Sequence, residues 1–383
     1  MIVVAGAGVF GLAAARELRR RGREVTLLDP GPVPHPLAAS TDISKVVRIE
    51  YGADEEYMAL GERALAGWRS DPHFHETGVL FLRRTSLDPG TFEGESLRLL
   101  RKRGHAPDAL DAAALRARFP EWNADAFPHG FYHAAGGWVE SGEVVARFAA
   151  LAREEGVGVR EGEAMGRLLR KGDRVTGLET AEGERLEAET VVLALGAWTP
   201  HLLPETAPFF RTPGMPVFHL RPSDPARFTA DRFPVFTADV STTGYYGFPL
   251  HPRHGVVKIA NHGPGRLLHP QSPERVVTAE ETAQLRAFLR EAIPGLAGAP
   301  IVHTRVCLYC DTPDGHFWIT RVPHRPGLVL ATGGSGHALK FGSELGLLIA
   351  DAVEGRENAF TKKFRWRPDL RPSRSEEEAR WQG

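Results

Sequence analysis

The chain opens on an apolar run, Ile2-Val3-Val4-Ala5, and passes at once into Gly6-Ala7-Gly8-Val9-Phe10-Gly11. A short apolar run that ends in glycine reads as a buried strand entering a tight turn. Residues 13–19 then continue as helix, Gly22 stops it, and Glu24-Val25-Thr26-Leu27-Leu28 forms a second strand that ends at Asp29. Further along, the patterning predicts a helix over 55–68, a strand at 78–82, and short helices at 95–102 and 110–116. A helix capped by Ser141 follows to about residue 155. A β-rich stretch from 157 to 195 ends in the apolar run Thr190-Val191-Val192-Leu193-Ala194-Leu195, of the kind found in parallel sheets buried on both faces. Strands at 244–250 and 255–259, a helix at 279–290, a strand at 328–332 and a helix at 341–353 complete the pattern. Strands that alternate with helices at both ends of the chain indicate an α/β fold.

The first thirty residues carry chemistry. In strand, glycine turn, helix, strand and acidic end, Gly6 permits the turn, Gly8 lets the backbone approach a pyrophosphate, and Gly11 brings helix and sheet together. The helix start offers free N–H groups and positive dipole to phosphates. Asp29 can accept from both hydroxyls of an adenosine ribose and would repel a ribose phosphate, which disfavours NADP and leaves NAD or FAD open. A second cluster, Gly333-Gly334-Ser335-Gly336-His337, follows an apolar strand more than three hundred residues later, and suggests that both chain ends meet on one large cofactor.

Composition narrows the partners. At 383 residues, two domains are expected. A net charge of -1 gives no reason to expect a nucleic-acid partner. The N-terminal apolar run is too short for a membrane span and lacks a secretory pattern, so no membrane partner is expected and the cytoplasm is the expected compartment. Two cysteines, Cys307 and Cys310, exclude a disulfide scaffold and a self-contained cysteine zinc site, and no histidine spacing suggests a metal. Their surroundings look extended, so residues three apart face opposite ways and a disulfide between them is not expected. On the same strand, Tyr309 would share the face of Cys307. Only seven of the 47 basic residues are lysine, which draws attention to Lys45, Lys258 and Lys340.

Five further segments occur in order: Lys45-Val46-Val47-Arg48, Gly136-Gly137-Trp138-Val139-Glu140, Leu195-Gly196-Ala197-Trp198, Tyr245-Tyr246-Gly247-Phe248-Pro249 and Gly336-His337-Ala338-Leu339-Lys340. With the glycine turn and the strand bearing Cys307, they resemble the D-amino-acid oxidase superfamily, and within it the group of monomeric sarcosine, N-methyltryptophan and pipecolate oxidases. The resemblance implies a discontinuous Rossmann-type FAD domain, expected at 1–82, 140–208 and 312–372. It implies a substrate domain on a mainly antiparallel sheet, expected at 83–139 and 209–311, with a polar tail at 373–383. It also implies FAD, bound through a thioether at Cys307, and oxidation of a secondary amino acid with O2 reduced to hydrogen peroxide.

Carried over residue by residue, the resemblance implies that Arg48 and Lys340 bind the substrate carboxylate and that Lys258 promotes the reaction with oxygen. His262, Tyr246 and Tyr309 would orient substrate or flavin. Against the cofactor it sets Gly6, Gly8, Val9, Phe10, Gly11, Asp29, Pro30, Ser40, Thr41, Ser44, Lys45, Met165, Gly196, Trp198, Cys307, Gly334, Gly336, His337 and Lys340. Two departures stand out: Lys45 replaces an arginine near the flavin, and Thr41 stands where the sarcosine enzymes carry a histidine. A flavin dehydrogenase that passes electrons to a quinone or protein is the alternative, and a noncatalytic flavoprotein a second. The exact substrate and the oligomeric state stay open, a monomer among the possibilities.

Overall fold

The computed structural model describes residues 1–369, and the polar tail expected at 373–383 lies outside them. Two compact units divide the chain. Among the described residues, the first is built from Met1–Ile43, Glu140–Thr212 and 308–369; the second from Ser44–Val139 and Pro213–Cys307.

In the first unit, a six-stranded sheet runs in the order Trp318–Arg321, Leu328–Thr332, Thr190–Leu193, Ile2–Ala5, Val25–Asp29, Gly158–Glu161. Every neighbouring pair is parallel except Trp318–Arg321 with Leu328–Thr332. The N-terminal strand is central, with Ile2 opposite Val25 on one side and Thr190 on the other. Its apolar side chains are wholly buried, which is why it reads as a continuous run rather than an alternation. Ile2, Val3 and Val4 each contribute about 1.5–3 kcal/mol by leaving water. A three-stranded antiparallel meander, Met165–Lys171, Arg174–Thr180 and Arg185–Glu187, also belongs to this unit.

Helix Val9–Arg20 packs against Ser141–Glu154 and, most extensively, against Gly342–Glu354. The last contact is close because of Gly346: a Cβ there would stand 2.6 Å from the Ala13 carbonyl oxygen and 3.0 Å from the Glu17 Cβ. Charges lock the same helices, since Arg21 pairs with Glu17, Asp351 and Glu354, and Arg16 and Arg20 both bind Glu155. Ser141 does not cap its helix as expected. It is the first helical residue, and its hydroxyl donates instead to the Asp42 carbonyl at 2.9 Å.

The second unit holds a nine-stranded sheet, ordered Arg266–Leu267, Pro213–Leu220, Val257–Asn261, Tyr245–Leu250, Val235–Ala238, Val79–Arg83, His129–His133, Asp108–Asp111, with Ile301–Leu308 paired to Pro213–Leu220. Pairing is antiparallel along most of this path, with a parallel junction where Val235–Ala238 meets Val79–Arg83. Phe119, Trp122, Phe127, Phe218, Phe233 and Phe236 fill its core, together with Leu285, Phe288 and Leu289 from helix Ala279–Ala292. That helix starts on a full capping box, in which Thr278 and Glu281 satisfy each other's backbone N–H.

Several sequence-based boundaries shift, and 209–212 and 308–311 fall in the first unit rather than the second. Residues 44–82 belong to the second unit, because Lys45–Val47 pairs with Gly137–Val139 and Val79–Arg83 lies between two strands of the large sheet. The helix expected at 110–116 begins at Ala112, after a strand at Asp108–Asp111 whose last residue caps it. Introducing Gly346→Leu is expected to force apart helices Val9–Arg20 and Gly342–Glu354 and cost about 2–3 kcal/mol in a urea unfolding experiment, whereas an unchanged midpoint would contradict the close approach.

Candidate functional site

The first unit contributes a backbone cradle. Gly6 has φ of +102°, and a Cβ on it would lie 2.4 Å from the Ala194 carbonyl oxygen; one on Gly11 would lie 1.8 Å from the Gly6 carbonyl oxygen. No side chain fits at either position, so the turn is bare peptide. The helix that follows starts at Val9, and its N-cap Gly8 has no side chain to cap it. The Val9 N–H is taken by the buried Ser40 hydroxyl at 2.9 Å. Phe10 and Gly11, also in the first turn, have no intrahelical acceptor for their N–H groups.

Asp29 faces this turn from the next strand. One oxygen accepts from Ala7 N at 2.8 Å and the other from Gly31 N at 3.0 Å. An ionised carboxylate offers roughly four acceptor positions, so capacity for hydroxyl donors remains. Pro30 is exposed just beyond. Bare backbone, a helix N-terminus and an acidic strand end together fit the ADP part of a dinucleotide.

The second glycine cluster reaches the same place. A Cβ on Gly334 would stand 3.2 Å from the Phe10 ring, so the two ends of the chain do converge on one turn. Ser335 is wholly buried at a positive φ of 43°, held by the Cys310 carbonyl through its N–H, while its hydroxyl accepts from Thr312 N. Gly336 leaves room for Tyr309, whose ring would lie 2.3 Å from a Cβ there. Tyr309 is not on the strand of Cys307 as expected, since that strand ends at Leu308 and the chain then turns into the first unit. His337 stacks on Phe317 at 4.8 Å and bonds the Gly315 carbonyl through Nε2. Lys340 is buried in the turn that leads into helix Gly342–Glu354, where the helix dipole and the ammonium both favour an anion.

The remaining first-unit residues divide. Gly196 and Trp198 form the short turn after Thr190–Leu193, tied down by Thr199, whose hydroxyl donates to the Gly196 carbonyl and meets the Thr332 hydroxyl at 2.8 Å. Met165 packs in the apolar cluster with Val3, Ala5 and Leu28. The Thr41 hydroxyl donates to the His35 and Ala38 carbonyls and so holds its own loop. Cys310 is a buried thiol in the same cluster, 3.5 Å from the Thr332 hydroxyl, and burial pushes its pKa up to about 11. Cys307 and Cys310 are not joined by a disulfide.

The second unit gathers the cations. Lys258, 1% exposed on strand Val257–Asn261, donates to the Ser44 carbonyl at 2.5 Å and lies over the Phe248 ring at 4.8 Å. The Ser44 hydroxyl is itself buried without a protein partner, an orphaned donor and acceptor. Its neighbour Lys45 brings its ammonium to 3.8 Å from the Cys307 sulfur. Four expected residues therefore meet: Ser44, Lys45, Lys258 and Cys307. Two cations and an unsatisfied hydroxyl suit the anionic edge of a reduced flavin, and a thiol beside an ammonium suits nucleophilic attachment.

Arg48, 6% exposed, is boxed by the rings of Tyr51, Phe81 and Phe92, its guanidinium carbon 5.2, 5.9 and 5.3 Å from their centroids, and it donates to the Glu50 carbonyl. Tyr246 and His262 are half-buried with ring centroids 6.3 Å apart at a right angle, and His262 N donates to the Gly244 carbonyl. Sequence reasoning missed Glu50 and His133, which form a buried pair at 2.6 Å. The available signal was an acidic residue inside the apolar stretch Val46-Val47-Arg48-Ile49-Glu50. Among the described residues, no group of three or more His, Cys, Asp or Glu could hold a metal ion, and no helix is long and apolar enough to cross a membrane.

Comparison with known proteins adds to this geometry. A family model described as FAD dependent oxidoreductase matches residues 1–352. The N-methyl-L-tryptophan oxidase of Salmonella arizonae is 30% identical over 361 residues, covering 91% of this chain and 93% of the relative. That of Citrobacter koseri is 29% identical over 368 residues, covering 94% and 96%. Among solved structures, the fructosamine oxidase Amadoriase II of Aspergillus fumigatus superposes with a TM-score of 0.85 at 26% identity, over 96% of this chain and 89% of that one. Amadoriase I of the same fungus gives 0.82 at 27%, over 99% and 90%.

Proposed function

Since the chain belongs to the family of FAD-dependent oxidoreductases, we propose that it oxidises a secondary α-amino acid, N-substituted or cyclic, to an imine, with O2 reduced to hydrogen peroxide. The buried Arg48 in its aromatic box carries this reading. A guanidinium clamps a carboxylate through two parallel hydrogen bonds, and rings around it accept the apolar part of an amino acid. The relatives named N-methyl-L-tryptophan oxidase support a secondary amine as the reacting group.

Arg48 and Lys340 hold the carboxylate, and Tyr246, His262 and Tyr309 orient the substrate. The amine binds unprotonated, so no side-chain base is needed to free the adjacent C–H bond. FAD, when bound, would supply the acceptor for a hydride equivalent from that carbon and the route by which two electrons reach O2. The imine then takes up water and separates into amine and carbonyl compound. Lys258 keeps a positive charge where oxygen gains negative charge. Cys307, with the Lys45 ammonium beside it, would hold the cofactor through a thioether, a C–S bond in place of an S–H and a C–H bond, with the two protons and two electrons released taken by O2.

An anaerobic screen tests the substrate class. N-methyl amino acids, proline, pipecolate and a fructosyl amino acid are mixed with the enzyme, and at least one is expected to bleach the flavin absorbance. Arg48→Gln is expected to raise the concentration needed for half-maximal bleaching by about a hundredfold. Bleaching by none of them, or an Arg48→Gln enzyme that behaves as the parent, contradicts the assignment.

Lys258→Met is expected to slow flavin reoxidation by O2 by about a hundredfold or more, with a much smaller effect on anaerobic reduction. Equal slowing of both half-reactions argues against a role in oxygen activation.

Acid-denatured enzyme run on a gel is expected to keep a yellow fluorescent band that Cys307→Ser abolishes. A band that persists in Cys307→Ser moves the attachment elsewhere, and no band in the parent removes it.

A further inference from the structure

Two residues beyond Arg48 lies a carboxylate with no access to water. Glu50 is 0% exposed, and burying an ionised carboxylate is costly unless it is paired. It is paired on both oxygens: one meets His133 Nδ1 at 2.6 Å, and the other accepts from Ile49 N at 3.1 Å. Burial pushes the Glu50 carboxyl upward, but the hydrogen bond from His133 and the charges of His133 and Arg48 outweigh it and hold the group below its ordinary range. Glu50 is therefore an anion that acts on Arg48 through space, while its main-chain carbonyl accepts directly from the guanidinium. His133 comes from strand His129–His133, and its ring lies 5.2 Å from that of His105, which bonds Glu62 at 2.8 Å. Arg103 binds the same Glu62.

We propose that Glu50 is the internal counter-anion of Arg48, and that the His133–Glu50 hydrogen bond sets how tightly Arg48 takes a carboxylate from outside. The inference rests on Arg48 being the carboxylate-binding cation. The argument is one of competing charge. An arriving carboxylate enters a field that Glu50 already partly cancels, so its affinity is lower than a lone buried guanidinium would give. The hydrogen bond from His133 draws the Glu50 charge toward the imidazole and away from Arg48. Glu50 thereby grades the site between two unworkable limits, an uncompensated buried guanidinium and one neutralised by its own chain. It is a positioning residue: its carboxylate acts on Arg48 through space, and Arg48 holds the substrate.

The two partners consequently act in opposite directions. Glu50→Gln keeps the shape but removes the charge: its amide oxygen can accept from Ile49 N while its NH2 donates to Nδ1 of a neutral His133. It is expected to tighten binding of a simple carboxylate by about tenfold. His133→Leu leaves the Glu50 charge with Arg48 as its nearest counter-charge, and is expected to weaken the same binding by a similar factor. His133→Asn, whose amide N–H can replace Nδ1–H, restores affinity toward that of the parent. A role in stability alone predicts weakening in both Glu50→Gln and His133→Leu.

The experiment titrates the flavin-loaded enzyme with acetate at constant ionic strength, follows the visible flavin spectrum, and checks each variant by thermal unfolding. Opposite shifts for Glu50→Gln and His133→Leu, with recovery in His133→Asn, support the proposal. Shifts in the same direction, or none, overturn it. If His133→Leu does not fold, Glu50→Gln decides alone, and unchanged or weaker acetate binding overturns the proposal. If Arg48→Gln binds acetate as the parent does, the assignment of Arg48 is what fails, and the counter-anion role falls with it.

Discussion

A buried ammonium has to be satisfied by the chain around it, and in the second unit the one on Lys258 organises its surroundings. Its hydrogen bond to the Ser44 carbonyl joins the first residue of that unit to a strand in the middle of the large sheet, more than two hundred residues later. Hydrogen bonds to charged groups contribute about 1.5–3 kcal/mol, and leaving such a charge unmade inside a protein costs more. With Ser44 held, Lys45 comes to Cys307 and the strand Lys45–Val47 comes to Gly137–Val139. Arg48 then follows directly at the end of that strand, enclosed by rings from three separate segments.

The first unit solves a different problem with fewer atoms. Phosphate recognition needs main-chain N–H groups that ligand oxygens can reach, and side chains would cover them. Gly6 and Gly11 remain bare because the Ala194 carbonyl and the turn itself fill the space a Cβ would take. Ser40 satisfies one helix-start amide, and Asp29 fixes Ala7 and Gly31, so the turn is shaped by its neighbours. The second glycine cluster, built on the wholly buried Ser335, closes in on Phe10 from the other end of the chain.

Much of this was legible where the signal is local. The opening turn, the helix at Glu55–Trp68 and the strands around 190 and 330 depend on periodicity and glycine placement within a few residues. The features missed depend on distant partners. Ser141 seemed a helix cap because serine commonly is one, but Asp42, about a hundred residues earlier, takes its hydroxyl. The stretch 44–82 is expected on the cofactor side, and strand pairing with distant segments moves it to the other unit. Tyr309 was placed by extending a strand two residues too far. The Glu50–His133 pair was invisible, since nothing along the chain shows that residues 83 apart share a proton-bearing contact.

The position of the first strand also dictates the timing of folding. Ile2–Ala5 sits between strands formed by residues 25–29 and 190–193, and helix Val9–Arg20 finds its most extensive helical partner only at Gly342–Glu354. Long-range pairing of this kind is slow, because loops must close before contacts reward them. Until Leu328–Thr332 has been made the sheet is unfinished, and Thr190–Leu193 keeps an apolar edge without its partner strand. The interval most exposed to aggregation is therefore the one between the making of Thr190–Leu193 and the making of Leu328–Thr332.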